Sequence, residues 1–107
     1  MRVTAWASAV KKTTGAGYGL RVSRADRDEH FRPEWQEVLL EIADGPKIVV
    51  PLAPCFWRGC TELRSAEIGR WLLQQDLAPW PKGSPPRFDL DPVGPARFHL
   101  RRPRARS

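Results

Sequence analysis

Two short segments with alternating apolar residues, facing each other across an Asp-Gly turn, constrain this chain most. In Glu37-Val38-Leu39-Leu40-Glu41-Ile42 the residues Val38, Leu40 and Ile42 share one face of an extended backbone, and Lys47-Ile48-Val49-Val50-Pro51-Leu52 places Ile48, Val50 and Leu52 likewise. Successive side chains on a strand point to opposite faces, so each segment has one face to bury and one to leave in water. The intervening Ala43-Asp44-Gly45-Pro46 suits a tight turn and predicts an antiparallel hairpin. Pro51 points away from the apolar set and cannot donate a ladder bond, which places it at a sheet edge or a strand end.

The same period recurs at Tyr18, Leu20 and Val22, and again at Phe88 and Leu90 followed by Phe98 and Leu100, a closing hairpin joined by Pro92-Val93-Gly94-Pro95. Between these strands Ser65 is a good N-cap for a helix over residues 66–77. Glu67 lies in its first turn, and Ile68, Trp71 and Leu72 form an apolar stripe that Gln75 continues. Pro79 and Pro81 end that helix. Residues 24–30 read as a charged loop, and residues 3–10 fit an edge strand or a short helix equally. Strands on either side of a single helix argue for an α+β fold. The expected architecture is a mostly antiparallel sheet or partly open barrel of about five strands with one amphipathic helix, in the order β-β-β-α-β-β.

A chain of 107 residues suits one domain and buries roughly two thirds of its unfolded surface, so a core needs no staples. The chain is 41% apolar and 28% charged, and its longest uncharged run is far too short to cross a bilayer. The start, Met1-Arg2-Val3-Thr4-Ala5-Trp6-Ala7-Ser8-Ala9-Val10, lacks the strongly apolar centre of a signal peptide, so a cytoplasmic, soluble protein without membrane contact is expected. Residues 1–16 read as a basic, partly flexible segment in which Lys11-Lys12-Thr13-Thr14-Gly15-Ala16-Gly17 forms a loose joint. Residues 17–100 read as the folded domain, and residues 101–107 as an Arg-rich, disordered tail.

The net charge of +6 is concentrated at the ends. Setting aside Arg2, Lys11, Lys12, Arg101, Arg102, Arg104 and Arg106 leaves eleven basic residues against twelve acids, so residues 13–100 carry a formal charge of −1. Basic arms on a balanced body can neutralise phosphates in a salt-sensitive, sequence-independent way.

Chemistry beyond that is sparse. Cys55 and Cys60 are the only cysteines, and two thiols with the isolated His30 and His99 do not make a four-ligand zinc pattern. A disulfide between them is sterically possible, but free thiols at the foot of the helix are expected in a reducing compartment. Gly15-Ala16-Gly17-Tyr18-Gly19 precedes a strand, whereas a phosphate loop needs a strand before its glycines and a helix after them. Asp26, Asp28, Glu29 and His30 gather three carboxylates and an imidazole, the raw material of a metal-dependent hydrolase. Interleaved Arg24, Arg27 and Arg32 point instead to an internally paired loop. With no nucleophile elbow either, an enzyme is not indicated and neither cofactor nor metal is expected.

Arg97, His99 and Arg101 share the outward face of the last strand and run into the tail. Arg87, Asp89 and Asp91 share that face of its partner, where cross-strand pairing would cancel charge. Trp57 and Trp71 are expected in the core. Trp80, held among Pro79, Pro81, Lys82 and Gly83, is the ring to test as a stacking platform.

The C-terminal half resembles the pseudobarrel DNA-binding domains of plant transcription factors and of restriction endonuclease recognition domains. The residues that carry the resemblance are the helical pair Trp71-Leu72, then Leu77, the turn glycine Gly83, and Phe88 and Phe98 of the closing hairpin, about 40 residues in all. It departs from that pattern at Ser84, where those families carry an acidic residue. It departs also in strand number, five countable here against the seven of a complete barrel, and what it implies is DNA contacts from strands and loops on one side of the barrel. The matching positions are structural, so the resemblance assigns no site residue; from the basic arms, the β7 ridge and the Trp80 loop the expectation is a non-enzymatic nucleic-acid-binding module, DNA favoured, using Trp80, Lys82, Arg97, His99, Arg101, Arg102, Arg104 and Arg106. A protein-interaction subunit docking through the Trp80 loop is the alternative, and a metal-dependent hydrolase using Asp26, Asp28 and Glu29 the third reading.

Overall fold

The computed structural model describes residues 1–43 and 45–102. The fold is α+β: a curled, mixed seven-stranded sheet with short helices at its ends. The strands are β1 (Arg2–Ala7), β2 (Tyr18–Arg21), β3 (Glu37–Ile42), β4 (Lys47–Pro51), β5 (Glu62–Arg64), β6 (Arg87–Gly94) and β7 (Arg97–Arg101). Helix α1 spans Arg24–His30, α2 spans Ala66–Gln74, and a 3-10 turn covers Pro54–Trp57. Strand order across the sheet is β4-β3-β7-β6-β1-β2-β5, and the two edge strands, β4 and β5, come into contact, curling the sheet into a half-barrel.

The expected hairpins form. Val38 pairs with Val50 and Leu40 with Ile48, all four buried, and β4 with its Pro51 is an edge strand. The count of five strands and one helix is corrected to seven strands and two α-helices among the described residues. Arg2–Ala7 resolves as an inner strand between β6 and β2, with Val3 and Ala5 buried, so the sheet begins inside the segment read as a separate basic arm. The three-residue β5 carries one buried residue, Leu63. Arg24–His30 is a helix and not a loop, capped by the Ser23 hydroxyl, which accepts from the Asp26 amide at 3.1 Å. One pairing is parallel, β3 with β7, because these strands are joined through the rest of the fold and not by a turn.

Gly15 and Gly17 are also not a loose joint. Gly15 is buried with φ +95°, and a Cβ there would lie 2.1 Å from the Ala66 carbonyl. The Arg70 guanidinium donates to the Thr14 carbonyl at 3.3 Å, so the β1–β2 loop is clasped to α2.

Leu20, Leu40, Ile48, Leu63, Ile68, Leu72, Phe88, Leu90, Phe98 and Leu100 are wholly buried inside the curl. Aromatic rings close both ends. Phe31, just after α1, stacks on Phe98 with centroids 4.7 Å apart and leans on Phe56 at 5.1 Å, while Trp71 of α2 meets Phe88 at 5.5 Å. Trp71 is core as expected, and Trp57 is half-buried against it. Arg27 ties α1 to the 3-10 turn, donating to the Phe56 carbonyl at 3.0 Å with its guanidinium 5.3 Å from the Trp57 ring centroid. Cys55 and Cys60, expected as free thiols, form a disulfide. The amides of Arg58, Gly59 and Cys60 all donate to the Cys55 carbonyl, and this tight turn brings the two Cα atoms to 5.1 Å, within bridging range. No helix among the described residues is long and apolar enough to cross a membrane.

Candidate nucleic-acid interface

β1 and β2 pair in a register that sets Thr4 opposite Arg21 and Trp6 opposite Gly19, and β2 pairs with β5 so that Gly19 faces Arg64 and Arg21 faces Glu62. Directly opposed residues point to the same side. Glycine at the centre of the row leaves no side chain between Trp6 and Arg64, and the guanidinium lies 4.8 Å from the Trp6 ring centroid.

Beside this row the loop after α2 folds back against β1 and leaves a groove of about 460 Å3, its walls including Trp6, Tyr18, Trp80, Lys11, Arg21 and Lys82. Trp80 is half-buried and meets the buried Tyr18 edge-on at 5.8 Å, which fixes the indole in place. Lys11, Arg21 and Lys82 are exposed; Arg21 reaches Glu62 only at 3.8 Å, and neither lysine has an ion pair among the described residues. Two indoles and three cations thus share one cleft.

The ridge on β7 is electrostatically different. Arg97 donates to Glu41 at 2.7 Å, and Arg101 reaches Asp91 at 3.1 Å and Asp89 at 3.2 Å. His99 lies in register between Asp91 on β6 and Glu41 on β3. The hydrogen bond from Arg97 lowers the Glu41 pKa below its ordinary 4.5 against a smaller desolvation effect, with the fields of Arg97, Lys47 and His99 acting in the same downward sense. Both neighbouring strands therefore supply acids, and the ridge is charge-balanced. Arg102 is exposed at the end of β7, while Arg104 and Arg106 lie outside the described residues.

The structure thus unites Trp80 and Lys82, sets the β7 residues apart from them, and adds Trp6, Tyr18, Lys11 and Arg21. The basic character of the first twelve residues points to Lys11 alone; Trp6, Tyr18 and Arg21 join it through strand register, which the sequence does not display. β7 and β1 run in the same direction across the sheet, and through Asp89 the register sets Arg101 level with Arg2 at the start of β1.

The acidic cluster is occupied internally. Asp26 accepts from the Ser23 hydroxyl at 2.9 Å, Asp28 is held by Arg27 at 3.0 Å and Glu29 lies 3.5 Å from His30. Ligand atoms of Asp26, Glu29 and His30 come within 4.8 Å of one another, but Asp28, the third carboxylate of the hydrolase reading, does not join them. In comparison with known proteins, no family, no curated protein and no solved structure matches this chain.

Proposed function

We propose that the protein is a non-enzymatic nucleic-acid-binding module, with DNA as the favoured polymer, whose contact surface is the Trp6–Trp80 groove and whose Arg-rich end adds affinity. The observation that carries this reading is the groove itself, where two indoles lie among Lys11, Arg21 and Lys82, of which Arg21 approaches Glu62 at 3.8 Å. Aromatic faces take bases by stacking while cations track phosphates, the combination used by non-specific binders of single strands. The resemblance of the C-terminal half to pseudobarrel DNA-binding domains, carried by Trp71-Leu72, Leu77, Gly83, Phe88 and Phe98, points the same way.

Binding is tested by retention of fluorescent duplex DNA, single-stranded DNA and RNA across a salt series. Three phosphate contacts in the groove give a slope of log affinity on log salt of about −2 on a single strand. Trp80→Ala weakens binding by about 1–3 kcal/mol, roughly 5- to 150-fold. Retention that ignores salt, or that survives loss of Trp80 unchanged, rejects the assignment.

Pro79 and Pro85 beside Trp80 favour the second reading, docking of another protein at the same cleft. An apolar docking surface would keep its affinity as salt rises, which separates the two.

A further inference from the structure

β1 stops pairing with β6 halfway along. Ser8 donates to the Gly17 carbonyl at 2.7 Å, so in this antiparallel ladder Thr4, Trp6 and Ser8 direct their backbone groups at β2, and Val3, Ala5 and Ala7 direct theirs at β6. On the β6 side Leu90 donates to the Met1 carbonyl at 2.8 Å and Ala5 donates to the Pro86 carbonyl at 2.8 Å. There the ladder ends, because Pro86 has no N–H to return to the Ala5 carbonyl. Next along, the Ser84 amide turns away to the Pro81 carbonyl at 3.0 Å. The Ala5 carbonyl and the Ala7 amide are left without a backbone partner among the described residues, and both residues line the groove beside Trp6 and Trp80. Ala5 is 4% exposed as a residue yet lines the groove, so a carbonyl left unpaired there calls for a partner from the groove side.

Resting on the nucleic-acid reading, we infer that this groove holds a single unpaired nucleobase, its pairing edge bonded to the Ala5 carbonyl and the Ala7 amide, beside the Trp80 indole and with its phosphates at Lys11 and Lys82. The pairing edge of a nucleobase sets a hydrogen-bond donor beside an acceptor, which complements a neighbouring C=O and N–H on an open strand edge. In a duplex that edge is consumed by the opposite base, so the ligand is a single strand or a base turned out of its stack. The volume of about 460 Å3 suits one nucleotide. A peptide adding as a new strand needs a longer run of free backbone than this one carbonyl and one amide.

The experiment uses the full-length chain labelled with 15N and titrated with four probes: a single-stranded decanucleotide, the same strand annealed to its complement, a decanucleotide of abasic residues, and a proline-rich decapeptide. DNA and RNA versions of the first probe distinguish the sugar. The base-bearing single strand is expected to bind about tenfold or more tightly than the duplex or the abasic strand, and to move the Ala7 amide resonance, which the abasic strand leaves in place. Ala7→Pro, which deletes this amide without touching the β1–β2 ladder, is expected to erase the preference for bases while keeping the salt slope. If that variant does not fold, the amide shift in the native protein decides. Equal binding of all three oligonucleotides with Ala7 unmoved overturns the base site and leaves the module reading standing. No binding of any oligonucleotide at low salt ends both, and an Ala7 shift produced by the peptide alone replaces both with a peptide-docking groove.

Discussion

At Gly69, in the middle of α2, a methyl group would lie 2.0 Å from the Gly15 carbonyl oxygen. Alanine in a helix ordinarily gains about 0.5–1 kcal/mol over glycine. Here the obstacle is backbone held by the Arg70 contact to Thr14, so overpacking, worth about 1–3 kcal/mol, wins. Gly69→Ala is expected to lower stability by about 1–2 kcal/mol in urea denaturation, reversing the usual sign for a helical glycine. Glu41 makes a second prediction at this scale. Its pKa is lowered by Arg97, so its contribution is fully present above the ordinary carboxylate value of 4.5 and is lost as pH falls through the lower folded-state value. Glu41→Gln should therefore melt below wild type at pH 7, and the two melting curves should converge as the solution is acidified below pH 4.5. Curves that stay equally separated at low pH would assign the effect to packing.

Elements differ in how plainly they could be read, and burial explains the difference. β3, β4, β6 and β7 each bury large apolar side chains on alternate positions, so their period is unmistakable. β1 buries only Val3 and the small Ala5, and β5 only Leu63, too little for a period to show. Helix α1 buries nothing at all; the reciprocal contact of Ser23 and Asp26 was its one local mark. For α2 the cap was legible: the Ser65 oxygen accepts from the Glu67 amide at 3.1 Å. Ser65→Ala should cost about 1 kcal/mol, and Leu72→Ala, which empties a fully buried position, about 2–5 kcal/mol, both measurable by chemical denaturation. In the candidate site Trp80 and Lys82 stood out because prolines and glycine frame them locally. Trp6, Lys11 and Arg21 did not, since only the β1–β2 register and the fold-back of the following loop bring them there.

On the scale of the whole molecule, charge is partitioned by the sheet. The β6, β7 and β3 side matches arginines with Asp89, Asp91 and Glu41, while the β1, β2 and β5 side sets Glu62 alone against Arg21 and Arg64. Total charge is thus a poorer guide than its placement. Deleting residues 103–107 leaves β7 whole and removes Arg104 and Arg106, so the salt slope of binding should fall by about 1–2 with the fold unchanged by circular dichroism. An unaltered slope would show that those two arginines do not meet phosphate. The parallel union of β3 with β7 has a consequence for biosynthesis. A nascent chain that has delivered the β3–β4 hairpin to the tunnel exit must wait until Arg97–Arg101 has emerged before β3 acquires its second neighbour. Until then the Leu40 edge stays open to other chains, which makes β7 the latch against aggregation.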